Sequence, residues 1–199
     1  MAEEILTKEI AQKLMEMKGE ARRVSIKGNW DAILKKEGEE GLKKLEEKMA
    51  EVGYPLKYNE IKAMAFYPTG LDAISIAAIK EIFNYTDKDL EEIGALSVNF
   101  SWFFKIFLKY FGSLSLIADQ VPKMWKNYYT VGSLEVVDYS EEKRYVIMRL
   151  KDYFVKFGCP TIKGYSKKVL NMILKKPVIC EETKCTLRGD EYHEFLLKW

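Results

Sequence analysis

Apolar residues recur at helical spacing through the first two thirds of the chain. In residues 3–17, an amphipathic helix is predicted because four apolar side chains fall near one face. These side chains are Ile5, Ile10, Leu14 and Met17. The segment KGEARRVSIKGN then interrupts the periodicity.

Two further helices follow along the chain. The stretch 30–53 has helical spacing that is broken near Gly38 or Gly41 and closed by Gly53. Small and branched apolar residues dominate 71–83, which predicts a helix that is largely buried. The connector between them contains two Tyr-Pro pairs, and each proline disfavours helix at the tyrosine before it.

An aromatic helix is predicted over 86–111. Thr86 is placed to cap its start and Asp89 stands at the third position, as in a capping box. Phenylalanines follow at four-and-three spacing along one stripe of this helix. The candidate walls of an apolar ligand pocket are Phe100, Phe103, Phe104, Phe107, Phe111, Trp125, Tyr128 and Tyr129.

The pattern changes after Gly132 to runs of β-branched residues separated by polar turns. A helix over 113–132, with a bend or restart at Pro122, precedes the change, and another helix spans 159–177. Four strands are predicted in two hairpins, at 133–139, 144–153, 177–186 and 191–199. This order predicts an α+β fold in which a helical cluster packs on a four-stranded antiparallel sheet in the C-terminal third.

Length and charge narrow the class of protein. A chain of 199 residues fits one domain with a terminal extension, and we assign residues 1–24 to an N-terminal helical extension and 25–199 to a single domain. The net charge of +2 argues against a dedicated nucleic-acid binder, which usually carries a basic excess. Because three cysteines cannot all pair and the acidic start does not resemble a secretion signal, we expect a cytoplasmic protein.

One apolar segment, 94–118, is long enough to cross a bilayer. Lys105 and Lys109 lie near its centre, where each would cost roughly 2.5–3.5 kcal/mol on insertion. Gly112-Ser113 also interrupts the run. We therefore expect a buried aromatic helix and no membrane span.

The end of the chain gathers side chains that bind soft metals. Cys180, Cys185 and His193 lie in the last predicted hairpin, and Cys159 begins the helix that leads into it. A three-residue loop centred on Gly189, which can take a positive φ, would set Cys185 opposite His193. Opposed residues have Cβ atoms about 4.5–5.5 Å apart, so a zinc ion would fit between this pair.

Zinc and free thiols are both open interpretations of these residues. The spacing of Cys180 and Cys185 is looser than in strong zinc motifs, and strand residues an odd number apart point to opposite faces. The two thiols would share a face only if a bulge intervened near Glu182-Thr183. We expect free thiols and no cofactor, with zinc on Cys159, Cys180, Cys185 and His193 as the alternative.

The segments GCPTIKGY, VLNMIL and PVICEETKCTLRGDEYHEFLLKW resemble the C-terminal part of the 4-vinyl-reductase domain and its uncharacterised bacterial relatives. The segments WDAILKKEGEEGLKKL, FYPTGLDAISIAAI, EIGALSV and WKNYYTVGSLEVV are similar to successive upstream parts of those relatives. The family pattern has Cys-Pro before a helix, a strand ending in Cys, a Gly-Asp turn and Cys-x-Phe. The matching positions are Cys159-Pro160, Cys185, Gly189-Asp190 and His193-Glu194-Phe195, so histidine stands where the family often has cysteine.

The resemblance implies membership of the ligand-binding superfamily shared with TRAPP vesicle-tethering subunits and haem-based nitric-oxide sensors. It implies helices over a four-stranded sheet, a homodimer, and binding of a hydrophobic small molecule or acyl chain. It also favours a soft metal site more than the spacing does. The nitric-oxide sensors need an axial histidine on a helix, whereas the single histidine here, His193, lies on a predicted strand, so haem is not expected.

No pattern for catalysis is present. The sequence lacks a Gly-rich phosphate loop, a nucleophile elbow and a His-Glu-x-x-His pair, and its adjacent carboxylates, Glu91-Glu92 and Glu181-Glu182, fit solvated faces. We predict a non-enzymatic sensor module with an aromatic-lined pocket for a small molecule or lipid. The alternative is a homodimeric scaffold or interaction module, in which the aromatic helix fills the core or the interface.

Overall fold

The computed structural model describes residues 5–98, 113–153 and 158–199. Within these ranges the helices are α1 (Lys8–Met15), α2 (Val24–Glu51), α3 (Thr69–Ile82), α4 (Asp87–Ser97), α5 (Leu114–Tyr128) and α6 (Cys159–Leu174). The strands are β1 (Glu20–Arg22), β2 (Phe66–Pro68), β3 (Ser133–Ser140), β4 (Tyr145–Lys151), β5 (Ile179–Lys184) and β6 (His193–Lys198). The predicted α+β fold and the four C-terminal strands are confirmed.

The start of α4 shows how local sequence sets an element. Thr86 Oγ1 accepts a hydrogen bond from Asp89 N at 3.3 Å, and Asp89 Oδ2 accepts one from Thr86 N at 2.9 Å. The predicted capping box is therefore present. The rest of the predicted helix 86–111, from residue 99 onward, lies outside the described residues.

Two helices differ from their predicted form. Helix α2 begins at Val24 instead of residue 30, because the chain enters it directly from β1. Its predicted break is at Gly38, where φ is +72°. Helix α5 runs through Pro122 as one helix, so the restart, one of the two forms predicted there, is wrong.

A small antiparallel sheet of β1 and β2 was not predicted. Its pairs run from Glu20↔Pro68 to Arg22↔Phe66. Arg22 connects this sheet to distant parts of the chain. Its Nε donates a hydrogen bond to Asn127 O at 2.7 Å, and its Nη1 donates one to Met64 O at 2.5 Å. Strands of three residues are too short to display an alternating pattern, so sequence periodicity could not reveal them.

The first hydrophobic core joins α1 to α4. Trp30 is completely buried in it and donates a hydrogen bond to Ser75 Oγ at 2.7 Å. Most of α3 is buried here, as predicted. Leu6, Ala11 and Leu14, from the segment assigned to the N-terminal extension, lie in the same core.

The second core lies between α5, α6 and the larger sheet, whose strand order is β3-β4-β6-β5 with every neighbour antiparallel. Strand β6 is an inner strand, and its Phe195 and Leu197 are almost completely buried. Leu150 from β4 and Leu170 from α6 pack with them. This core supports the end of the sheet at which β6 begins.

Helices α4 and α6 connect the two cores by an unusually close crossing. A Cβ atom added at Gly94 would collide with the backbone of Thr161, and one added at Gly164 would collide with the backbone of Glu91. The Glu91 carboxylate also lies 3.1 Å from Lys163 Nζ and 3.0 Å from Lys167 Nζ. The absence of side chains at both glycines is what lets the helices approach so closely.

Among the described helices, none is both long and apolar enough to cross a membrane. Most of the apolar segment 94–118 that prompted this question falls in the part of the chain that is not described.

We predict that Gly164→Ala lowers the free energy of unfolding. Alanine is favoured over glycine in a helix by about 0.8–1.0 kcal/mol, so an uncrowded site would gain stability. Here the collision with Glu91 should reverse the sign, with a net loss of about 1–3 kcal/mol in urea unfolding. Ser115→Ala, at an exposed position of α5, is the control and should change little. Unchanged or higher stability of Gly164→Ala would contradict the close crossing.

Candidate metal centre

Four side chains with metal-binding atoms meet where α6 begins beside the sheet. The sulfur atoms of Cys159 and Cys185, a carboxylate oxygen of Glu182 and a ring nitrogen of His193 all lie within 4.8 Å of one another. His193 is 0% exposed, Cys185 4% and Cys159 8%, and the Glu182 side chain is 15% exposed. We call these four residues the Cys/Glu/His group.

A bulge in β5 brings the strand residues of this group together. The pairing is regular from Ile179↔Lys198 to Glu182↔Phe195 and then shifts, so that Lys184 pairs with Glu194. The extra residue, Thr183, changes the alternation of side chains along the strand. The bulge that the sequence argument required is thus present, and it places Glu182 beside Cys185.

The loop after β5 is longer than predicted. A 3-10 turn spans Thr186–Arg188, and β6 begins only at His193. The prediction of a three-residue loop is therefore wrong. Gly189 does have the expected positive φ, at +93°. Asp190 Oδ2 accepts a hydrogen bond from Cys185 N at 2.7 Å, and Asp190 N donates to Cys185 O at 3.2 Å. These two bonds hold Cys185 at the mouth of the loop.

The His193 ring is held by contacts on both nitrogens. Its Nε2 lies 2.8 Å from Thr186 Oγ1, outside the group. Its Nδ1 lies 3.1 Å from Glu182 Oε1 and 3.5 Å from Cys159 Sγ. Without a metal, a proton on Nδ1 is donated to the Glu182 carboxylate. With a metal on Nδ1, the proton would lie on Nε2 and be donated to Thr186, which is the usual arrangement for a metal-binding histidine.

The group concentrates acidic side chains in a buried place. Burial raises the pKa of the Cys159 thiol well above its usual value, and the nearby Glu182 and Cys185 raise it further. Burial also disfavours the Glu182 carboxylate, but hydrogen bonds from His193 and the two thiols outweigh this and lower its pKa. A cation at the centre of the group would favour ionisation of both thiols.

The donor set fits zinc. Two sulfurs, an imidazole nitrogen and a carboxylate oxygen are the atoms that zinc takes from proteins, usually four at a time in a tetrahedron. With bonds of about 2.0–2.3 Å, the edges of such a tetrahedron measure about 3.3–3.8 Å. The widest separation here is up to 4.8 Å, so small side-chain shifts of about 1 Å would close the site.

Cys180 is not part of the group, although the sequence suggested it as a ligand. It pairs with Leu197 and is buried in the second core. Burial raises the pKa of its thiol to about 12, so it behaves there as a small apolar side chain. Glu182 takes the fourth place, whereas the sequence argument assigned it to a solvated face.

The predicted aromatic ligand residues are only partly described. Phe100, Phe103, Phe104, Phe107 and Phe111 lie outside the described residues. The Trp125 and Tyr129 rings stack with centroids 4.0 Å apart, and Tyr153 meets both edge-on at 5.1 and 5.2 Å. Tyr128 is half-buried. Tyr153 was not a candidate, because a single tyrosine at the end of a strand gives no sequence signal.

Two clefts are lined by described residues and lie away from these rings. One, of about 220 Å³, lies between α2 and the turn at Tyr58, and the other, of about 240 Å³, lies between α5, the end of α6 and Trp199. Neither is lined by Trp125, Tyr128 or Tyr129.

Solved structures with similar folds were found at low sequence identity. An H-NOX protein from S. oneidensis in the Fe(II)NO state gives a TM-score of 0.68 at 10% identity, covering 89% of this chain and 98% of that chain. An oxygen-binding H-NOX domain related to soluble guanylate cyclases gives 0.60 at 14% identity, covering 88% and 94%. A trafficking protein particle complex subunit 3 from Naegleria fowleri, covalently bound to palmitic acid, gives 0.50 at 17% identity, covering 64% and 92%.

No protein-family model and no curated protein matches the sequence. The likeness in structure shows that this chain shares its fold with these H-NOX domains and this trafficking complex subunit.

A haem held by a histidine does not fit the residues of this chain. Its single histidine, His193, begins a strand, and both of its ring nitrogens contact neighbours at the Cys/Glu/His group.

We predict that Asp190→Ala destabilises the loop that carries Cys185. The change removes the acceptor for Cys185 N and should lower the free energy of unfolding by about 1 kcal/mol, the typical net value of one hydrogen bond. Glu191→Ala, at the exposed neighbouring position, should leave stability within about 0.5 kcal/mol. Equal effects of the two changes in urea unfolding would show that the Asp190 contact does not hold the loop.

Proposed function

We propose that this protein is a non-enzymatic ligand-binding sensor module whose C-terminal half is held by a structural zinc ion. The observation that carries the proposal is the Cys/Glu/His group, in which four donor atoms from α6, β5, β6 and the loop between these strands lie within 4.8 Å. A metal site requires several donor atoms held close together, and here Cys159 at the start of α6 meets three residues of the terminal hairpin.

A zinc ion in this place would be structural. Catalytic zinc keeps an open position for water or substrate, whereas structural zinc is surrounded by four protein ligands. Here all four ligands would come from the chain, and His193, Cys185 and Cys159 are almost completely buried. The ion would tie the start of α6 to the sheet, which argues for a role in stability and against hydrolysis.

The sensor part of the proposal rests on the fold and the aromatic rings. The structural neighbours include proteins in nitric oxide, oxygen and palmitic acid complexes, which supports small-molecule binding as the common use of this fold. Because His193 is committed to the Cys/Glu/His group, the proposed ligand here is an organic molecule and not haem. The aromatic wall of Trp125, Tyr129 and Tyr153 suits such a ligand.

We expect one zinc ion per chain in protein purified without chelator, measured by elemental analysis. Cys185→Ala should lose the ion or bind it far more weakly, because a ligand is removed. Stripping the ion with a chelator should lower the melting temperature of the wild type, since a metal at about 1,000 times its Kd stabilises by about 4 kcal/mol.

Cys180→Ala is the matched control, because it removes a buried thiol from β5, the strand before the loop that carries Cys185, and Cys180 lies outside the group. It should keep the full zinc content, although the small cavity would reduce its stability. Wild-type protein without zinc, in which thiol titration finds all three cysteines free, would refute the metal centre.

Native mass spectrometry of freshly purified protein tests the sensor proposal separately. We expect a co-bound organic mass that dissociates on unfolding, because an apolar pocket retains its ligand through purification. Protein that is empty and tightly dimeric would support the alternative, a scaffold or interaction module, and would contradict the sensor.

A further inference from the structure

Asp72, in the first turn of α3, is a buried acid without the partners that burial requires. The residue is only 8% exposed, and among the described parts of the chain no group donates a hydrogen bond to its Oδ1. Burial raises the pKa of this carboxyl to about 6, against the lowering effect of the nearby Ser25. A carboxylate in such a place needs hydrogen-bond donors or a cation when it is ionised.

Glu81, on the same helix, shows what a structural acid looks like in this protein. Its Oε2 accepts hydrogen bonds from Ile5 N at 2.7 Å and Leu6 N at 2.6 Å, and its Oε1 lies 2.7 Å from Lys48 Nζ. Every acceptor of Glu81 thus has a clear partner, and the residue fixes the start of the chain. Asp72 has no equivalent set of contacts, so a structural role does not explain its burial.

Two tyrosine hydroxyls from other elements lie close enough to Asp72 for its charge to affect them. Burial raises the pKa of the Tyr129 hydroxyl, and the negative charge of Asp72 adds to this effect. Burial also raises the pKa of the Tyr153 hydroxyl, and the nearby Tyr129 and Asp72 raise it further. The acid on α3 therefore lies beside the rings that follow α5 and β4, which are stacked with Trp125.

We infer that Asp72 is the polar anchor of an internal site that binds a small organic amine in its protonated form. The ammonium group would supply the donor and the positive charge that Oδ1 lacks, and the neighbouring π faces favour a cation. This inference rests on the proposed ligand-binding function and gives it a ligand class. A neutral hydroxyl would supply only the donor, and an anion would be repelled by the carboxylate.

Three probes with the same ring and similar length separate these chemistries: phenethylamine, phenethyl alcohol and hydrocinnamate. We expect isothermal titration near neutral pH to detect binding of phenethylamine to the intact chain. The alcohol should bind at least about tenfold more weakly, since a charge-assisted hydrogen bond is roughly twice as strong as a neutral one. Hydrocinnamate should not bind detectably.

Asp72→Asn tests the anchor, because it keeps the shape of the side chain and removes its charge. It should lose at least about tenfold in phenethylamine affinity, and it should unfold at the same or a higher temperature because a buried charge has been removed. Asp119→Asn, at an exposed position on α5, is the matched control and should bind phenethylamine as the wild type does.

The inference is overturned if the wild type does not bind phenethylamine, or if Asp72→Asn binds it equally well. It is also overturned if the alcohol binds as tightly as the amine, which would be the result if a buried water already satisfies Asp72. Each of these results leaves the wider sensor proposal intact as long as native mass spectrometry finds a co-bound organic mass. Protein without a co-bound organic mass in that experiment would contradict the sensor proposal.

Discussion

The close crossing of α4 and α6 is the constraint on which the rest of the structure depends. Leu90 and Ile93 place α4 in the first core, and Leu170 places α6 in the second. The two helices meet backbone to backbone at Gly94 and Gly164, so the cores have one fixed position relative to each other at this point. Since Cys159 is the first residue of α6, this crossing also helps to fix the position of Cys159 in the Cys/Glu/His group.

Much of the fold could be predicted because its signals are local. The capping box at Thr86, the break at Gly38 and the alternation after Gly132 each depend on a few neighbouring residues. The β1–β2 pair depends instead on contacts between distant parts of the chain, such as Arg22 with Asn127. No local pattern encodes such contacts, and this explains why the small sheet was missed.

The sequence predicted three residues of the candidate site but not the fourth. Cys159, Cys185 and His193 stand out because sulfur and imidazole are uncommon in this sequence. Glu182 does not stand out, because the chain is rich in glutamate and an alternating strand places half of its residues in solvent. The expectation of free thiols followed from regular alternation, and the bulge at Thr183 removes that objection without testing whether metal is bound.

Asp72 illustrates a different limit. An acid in the first turn of a helix is common, because it interacts favourably with the helix dipole, and most such residues are solvated. Only the three-dimensional structure distinguishes Asp72 from Asp87, which occupies the first turn of α4 and has a side chain 74% exposed. Burial without partners is a property of the folded chain, and no sequence pattern around Asp72 announces it.

The bulge in β5 has a consequence for how related chains should be aligned. The additional residue in β5 changes which positions share a face, so a cysteine-to-cysteine spacing no longer shows that Cys180 packs in the core while Cys185 joins the Cys/Glu/His group. An alignment that matches cysteine to cysteine by spacing would equate Cys180 with a ligand in some chains and with a core residue in others. Related chains should be aligned first at the bulged residue, Thr183. The positions equivalent to Glu182 and His193 would then be assigned relative to it.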